Sequence, residues 1–527
     1  MTVAEHLARR LREHGVRRFF GIPGGPSIPY MEAFRKEGIG FILTSHEASA
    51  AVMADVTARM TGVTGVCHGT FGPGATNLST GVGGALLDRS PVLALTSELP
   101  GTWAGRTTQM NIDHQSLYAP ITKATFRLTE ATAGEVIVES LAIANEEYPG
   151  PVHIGLPSDM ADRECAEVMT KAKPNYRGDG FHLDERARVL IASARRPLIA
   201  AGLTAMRAGA GPALLRLLDV CPVPVIVTPM AKGIIPESHP CYAGVLFHSL
   251  SDRLRILTRE ADLIIGLGYD PVEYNYESWM NRVPLLHFNT IRTDLQIAGS
   301  IQVISSASEW FEALEALRGS PEMVTLAGEA KSAVRSGLME LSGGFSPVKA
   351  LEILHDLLPR DTVVTADVGS HLHLLGQMWD VTDRGRLIMT NGWSSMGFGL
   401  PAAIAAAIAD PKATVVCVTG DGGMLMYAGE MMTARRLGVK IIVVVLADGE
   451  LNLIRVKESW KHLSPYGTDL YGGALFGSDT FLGAEVMRVT DSDGMHSAVA
   501  KALQSDRSMI IEAAIDASVY SSLIVRP

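Results

Sequence analysis

Apolar positions recur along this chain in two rhythms. Short, nearly unbroken runs rich in Val and Ile include residues 223–228 (V-P-V-I-V-T), 261–268 (A-D-L-I-I-G-L-G), 413–420 (A-T-V-V-C-V-T-G) and 440–446 (K-I-I-V-V-V-L). Between them lie stretches with helical spacing. The first, residues 1–15, sets Leu7 and Leu11 on one face and stops at Gly15. Unbroken apolar strands alternating with helices predict parallel sheets covered on both faces. The expected fold class is α/β, with doubly wound parallel-sheet domains.

Two polar, broken seams interrupt this alternation, at 162–184 and at 318–346, the second ending in S-G-G-F-S-P. They divide the chain into blocks 1–165, 183–320 and 345–527, each of ordinary domain size. The outer blocks echo each other. Residues 72–96 and 397–419 both read as a glycine-rich turn, a helix of small residues, an aspartate and a strand. General βαβ grammar and an old duplication explain this echo about equally well.

Composition narrows the classes. With 46 Lys and Arg against 56 Asp and Glu, the formal charge of −10 leaves no basic footprint for nucleic acid. The five cysteines form no C-x-x-C pair, which speaks against zinc and disulfide frameworks and fits a reducing compartment. The N-terminus has no apolar signal core, and no apolar run approaches a membrane span. The expectation is a cytoplasmic protein with no membrane partner.

The sharpest local feature is V-C-V-T-G-D-G-G-M, residues 416–424, where a buried strand ends on Asp421 between glycines. Ligands of open α/β sheets bind beyond the carboxyl ends of strands. Gly420, Gly422 and Gly423 let backbone amides approach a ligand closely. Residues 424–437 read as one helix closed by Gly438, whose N-terminus would seat a diphosphate. The pattern is neither G-x-G-x-x-G, since Leu425 takes the third glycine's place, nor a P-loop. The next strand ends on Asp448, again before a glycine. One such aspartate alone is most often a cap. Two at adjacent strand ends beside a phosphate seat make an oxygen site for Mg²⁺, with Asp421, Asp448 and a backbone carbonyl near Glu450 as ligands.

G-D-G-G followed by Asp448-Gly449 resembles the thiamine-diphosphate motif. The resemblance extends over nearly the whole chain, through F-G-I-P-G-G (20–25), S-H-E-A-S-A-A (45–51), F-G-P-G-A-T-N (71–77), P-I-T-K (120–123), D-V-G-S-H (367–371) and S-S-M-G-F-G-L-P-A-A (394–403). The chain is similar to the acetolactate synthases, and I-G-L-G-Y-D-P-V-E-Y (265–274) resembles their FAD-free catabolic branch. Ala447-Asp448 stands where the family usually has two asparagines.

This resemblance implies three domains, pyrimidine-binding, central and diphosphate-binding, with thiamine diphosphate and Mg²⁺ but no FAD. It implies Glu47 as the catalytic carboxylate that binds the aminopyrimidine, and Met396 as the support beneath the bent cofactor. Gln109 would be an active-site glutamine, although its spacing to Asp113 is one residue long. The Ser394 carbonyl would accept from the amino group, at a place where glycine is usual. Ser370, His371, Gly420, Gly422 and Gly423 would hold the diphosphate, and Leu453 would lie near the reacting carbons. Gly24, Phe71 and Lys457 would shape the substrate pocket, Phe71 standing where serine is common. His68 is unusual in its place. Arg106, His114 and Arg455 are further candidates whose roles are more often structural. The family's active site lies between subunits, so a dimer or tetramer is expected.

The implied reaction is decarboxylation of a pyruvate-like 2-oxo acid with carboligation to a second carbonyl. The rival is a 2-oxo-acid decarboxylase or aldehyde lyase with another, anionic substrate. A non-catalytic paralogue is disfavoured by the presence of Glu47, Asp421 and Asp448 together. A Rossmann-type dehydrogenase lacks its glycine fingerprint.

Overall fold

The computed structural model describes residues 1–103, 105–169, 183–280, 282–381 and 386–523. Three sheets follow one another along the chain. Numbered in chain order within each sheet, the six strands of the first run 2-1-3-4-6-5, and those of the central sheet run 6-5-4-1-2-3. The third sheet repeats the order of the first, with the short strand Thr480–Phe481 added at one edge. That strand makes the one antiparallel strand pair among the described residues; every other pair is parallel. The shared order 2-1-3-4-6-5 favours duplication over mere grammar for the echo between the outer blocks.

The unbroken apolar runs have a direct cause. Strand Val415–Gly420 lies between Val363–Ala366 and Ile442–Ala447. Val416 and Val418 enter one core, while Val415 and Cys417 enter another on the opposite face. A strand buried on both faces offers few positions for a polar residue until it ends. The second of those cores is shared by the outer blocks: helices Glu47–Thr61 and Gly399–Ala409 meet there through alanines. Helix Pro73–Leu87 also approaches Glu47–Thr61 closely, since a Cβ on Gly81 would lie 2.5 Å from Ala51 Cβ.

Two expectations about elements are corrected. The seam at 318–346 holds helix Pro321–Glu340, whose buried Met323, Ala327, Ala330, Val334 and Leu338 recur at helical spacing. Its exposed polar residues had masked that stripe. The stretch after Asp421 is two helices, Asp421–Tyr427 and Glu430–Leu437. They break at Gly429, where Ser45 of the first block packs: a Cβ there would lie 3.2 Å from Ser45 Cβ. The second helix does end at Gly438, in the left-handed region at φ +65°. Helix Val3–Glu13 forms as expected, and Gly15 has φ +97°. Most of the seam at 162–184 lies outside the described residues.

No helix among the described residues is long and apolar enough to cross a membrane.

Candidate functional site

In doubly wound sheets the ligand crevice opens where the strand order reverses. For the third sheet that point lies between Val363–Ala366 and Val415–Gly420. A cleft of about 590 Å³ opens there, lined by Val368–His371, Met396, Gly420–Gly423, Asp448 and Glu450–Ile454. The expected cofactor residues Ser370, His371, Met396, Gly420, Gly422, Gly423 and Leu453, and the expected ligands Asp421, Asp448 and Glu450, all line this one cleft.

Asp421 organises its floor. Oδ2 accepts the amides of Gly449 at 2.7 Å and Asp448 at 3.1 Å, and the Tyr471 hydroxyl at 3.2 Å. Oδ1 accepts the Gly422 amide at 2.8 Å. One carboxylate thereby ties the two strand ends together. Burial pushes its pKa up, against those donors. Asp448 is pushed up to about 7, by burial first and then by the charge of Asp421. Two carboxylates buried side by side, one of them raised by the charge of the other, form an electrostatic deficit that a divalent cation would relieve. The Glu450 side chain is paired with Arg455, which leaves Glu450 only its backbone to offer.

Glycine is required here by contact. A Cβ on Gly423 would lie 2.7 Å from Asp367 Oδ2, and one on Gly422 would lie 2.9 Å from Met396 Cε. Three buried polar atoms at the cleft have no partner among the described residues: Ser370 Oγ, His371 Nε2 and Asn452 Oδ1. Buried polar atoms are normally satisfied, so three orphans facing one cleft fit an anionic, metal-bearing ligand. Burial holds His371 at about 4, so the ring is neutral.

Sequence reasoning missed Asp367 as a residue with a role. It is fully buried and accepts from the Val368, Gly397 and Gly399 amides at 2.7, 2.8 and 3.2 Å and from Thr419 Oγ1 at 3.1 Å. It thus fixes the turn that carries Met396. Burial pushes it up to about 6. The available signal was its place at the end of an apolar strand, the same grammar that singled out Asp421. Ser394 sits in that turn at φ +54°, a region that favours glycine, and is exposed.

Glu47 stands apart. Among the described residues, none of the first block lines the cleft. The Glu47 side chain, 6% exposed, opens helix Glu47–Thr61, and Asn77 Nδ2 donates to its Oε2 at 3.1 Å. The helix start is held by His46, whose Nδ1 accepts the Ala48 amide, and by Glu430, whose Oε1 accepts the Ser45 and His46 amides. The reversal point of the first sheet lies between Arg18–Gly21 and Gly65–Gly69, and Gly24 and Phe71 follow those strands. Their loops touch, since a Cβ on Gly24 would lie 2.2 Å from Thr70 Oγ1. Glu47 and Asp421 therefore lie in two separate clusters of this chain.

The remaining candidates divide. Gln109 is exposed, and its neighbour Met110, at φ +61°, packs against Gly72. Lys457 is exposed and does not line the cleft, and Arg455 is taken by Glu450. Arg106 lies over the Trp103 ring on the surface. His68 and His114 are buried inside hydrogen-bond networks.

Comparison with known families finds three matches along the chain. Residues 1–117 match the thiamine pyrophosphate enzyme N-terminal TPP binding domain, 185–317 the central domain and 367–513 the C-terminal TPP binding domain. The chain belongs to the thiamine pyrophosphate enzyme family. Within it, the chain is 30% identical to a probable acetolactate synthase large subunit of Methanocaldococcus jannaschii, over 98% of this chain and 92% of that protein. It is 29% identical to acetolactate synthase isozyme 2 large subunit of Escherichia coli, over 98% and 96%. It is an enzyme of the acetolactate synthase type.

Proposed function

We propose that this enzyme uses thiamine diphosphate and Mg²⁺ to decarboxylate a pyruvate-like 2-oxo acid and joins the remaining fragment to a second carbonyl. The observation that carries the reading is the cleft where buried Asp421 raises the pKa of Asp448 beside three polar atoms without a partner among the described residues.

Bound thiamine diphosphate supplies the carbon nucleophile and the electron sink of the reaction. The chain supplies position and charge. Asp421, Asp448 and the Glu450 backbone hold the cation. The Ser370 hydroxyl would donate to the diphosphate, with the His371 ring beside it. The Gly422 and Gly423 backbone lies bare against it, and Met396, fixed through Asp367, supports the rings. Leu453 faces the reacting carbons. Glu47 holds a proton at the aminopyrimidine nitrogen, and Gly24 and Phe71 border the substrate.

Glu47 reaches this cofactor across an interface. The absence of first-block residues from the cleft lining supports an active site completed by the Glu47 half-site of a second copy. A dimer is then the smallest active unit. The reading also leaves FAD out. At the reversal point of the central sheet, Glu273 accepts the Leu203 amide at 3.2 Å and the Met230 amide at 2.8 Å, donors that a dinucleotide phosphate would need. The five cysteines are unpaired and four of them are buried, which suits a cytoplasmic enzyme.

Titration of the purified enzyme with thiamine diphosphate tests this, with Mg²⁺ and with EDTA. Saturable binding that EDTA abolishes is expected. No binding in the presence of Mg²⁺ overturns the reading.

A further inference from the structure

A directed chain of hydrogen bonds, buried at its near end and half-buried beyond His153, runs beneath the Glu47 half-site. The Gly72 amide donates to His114 Nε2 at 3.3 Å. An amide can only donate, so Nε2 accepts and the His114 proton sits on Nδ1. That N–H meets Thr96 Oγ1 at 2.9 Å. The Thr96 hydroxyl has one proton, which goes to His153 Nε2 at 2.7 Å. His153 Nδ1–H then donates to Thr125 Oγ1 at 2.6 Å, and the Thr125 hydroxyl donates to Gln115 Oε1 at 2.7 Å. Gln115 Nε2 donates to Glu98 Oε1 at 2.8 Å, and Arg127 closes the chain on Glu98 Oε2 at 2.8 Å.

Every link has one permitted direction, so the chain fixes both histidine tautomers from its two ends. Burial keeps both rings neutral: His114 is held at about 4 and His153 well below the usual histidine range. Glu98, His114 and His153 lie close enough to suggest a metal trio. Both nitrogens of each ring and both Glu98 oxygens are already engaged within the chain, so no cation is needed to satisfy them.

The near end of the chain touches the reaction side. Gly72, at φ +66°, belongs to the turn at 71–74. That turn runs against Glu47: a Cβ on Gly74 would lie 3.3 Å from Glu47 Oε1. The helix that begins in the turn, Pro73–Leu87, carries Asn77, which donates to the other Glu47 oxygen. From the far side Tyr118 stacks on His153 at 4.1 Å and donates to Ala75 O, on the same helix start.

We propose that His114 is a positioning residue, which through Nε2 pins the Phe71–Gly74 turn against Glu47 and so sets the substrate border. This rests on the function assigned above to Glu47 and Phe71. Had Nε2 carried the proton, two N–H groups would face each other, and the turn would have to move. Displacements of about 1 Å can cost up to about a hundredfold in rate.

Two substitutions separate the ring's two hydrogen bonds. His114→Gln keeps an acceptor near Nε2, and His114→Asn keeps a donor near Nδ1. Hydrogen exchange of the peptide spanning 70–76, measured in the intact enzyme, is expected to rise in His114→Asn and stay near wild type in His114→Gln. The rate on pyruvate is expected to fall about tenfold in His114→Asn and less than about threefold in His114→Gln, the scale of a sub-ångström misplacement. Thr96→Val, with His114 intact, is expected to behave like His114→Asn, which keeps the test open if His114→Asn does not fold. Equal exchange in wild type and His114→Asn, equal losses in the Asn and Gln variants, or a stoichiometric metal bound at Glu98, His114 and His153 would each overturn the assignment. Wild-type enzyme that binds no thiamine diphosphate would overturn the function instead, and the exchange measurement would still be readable.

Discussion

Glu430 Oε1 accepts the backbone amide of Ser45 at 2.9 Å, a bond from the third block to the first. The same oxygen accepts the His46 amide at 3.1 Å, so one buried carboxylate sets where the Glu47 helix begins. Glu430→Ala leaves two amides without this acceptor, at a cost of about 1–3 kcal/mol for a group left unsatisfied. The expected outcome is a lower unfolding midpoint together with a rate on pyruvate at least about tenfold lower, because Glu47 loses its placement. Glu430→Gln retains an acceptor oxygen and should keep most of the rate. A wild-type rate in Glu430→Ala would contradict the positioning role.

Asp421 separates the hold on the fold from the hold on the ligand. Asp421→Asn preserves one acceptor oxygen for the Gly449, Asp448 and Tyr471 donors, leaves the Gly422 amide facing an N–H, and removes the charge a cation needs. The unfolding midpoint should fall by the equivalent of about 1–3 kcal/mol. Thiamine-diphosphate affinity in Mg²⁺ should fall at least about tenfold, the scale of one lost charge-assisted contact of about 1.4 kcal/mol or more. Calorimetric titration of the variant checks both parts, and undiminished affinity would count against the cation site.

Much of this was legible in the chain, for identifiable reasons. Asp421 and Asp448 stand out because strands buried on both faces admit no charge until they end. The three α/β blocks follow from the same rule. Asp367 obeys it too, but its partners are amides thirty residues away at Gly397 and Gly399, which no local pattern reveals. The break at Gly429 was hidden because its cause is Ser45, in another block. Gln109 and Met110 illustrate the limit of spacing: in a loop without periodicity, nothing in the sequence says which neighbour turns toward Gly72.

Gly423 should tolerate no side chain. Gly423→Ala would set a methyl against Asp367 Oδ2 and Thr419 Oγ1, polar atoms in a fully bonded cluster. Overpacking of this kind costs about 1–3 kcal/mol. Chemical denaturation should show a loss in that range, accompanied by weaker cofactor binding. A variant as stable as wild type would mean that Asp367 is free to move.

The neutral state of His114 gives a pH signature. Its pKa in the folded protein is about 4 against 6.5 in the unfolded chain, so between these values the unfolded chain binds more protons. The stability it contributes is complete above pH 6.5 and is lost as pH falls toward 4. Wild type should therefore lose, relative to His114→Gln, on the order of 3 kcal/mol between pH 7 and pH 4. Denaturation curves of the two proteins across that range test it. Parallel pH profiles would show that His114 already carries a proton in the fold.

The most direct measurement is the reaction of the purified enzyme with pyruvate, thiamine diphosphate and Mg²⁺, with products identified by mass spectrometry. The account expects acetolactate, formed only when both cofactor and metal are present. Acetaldehyde and CO₂ without a new carbon–carbon bond would contradict the carboligation, and pyruvate left untouched by cofactor-loaded enzyme would contradict the substrate assignment.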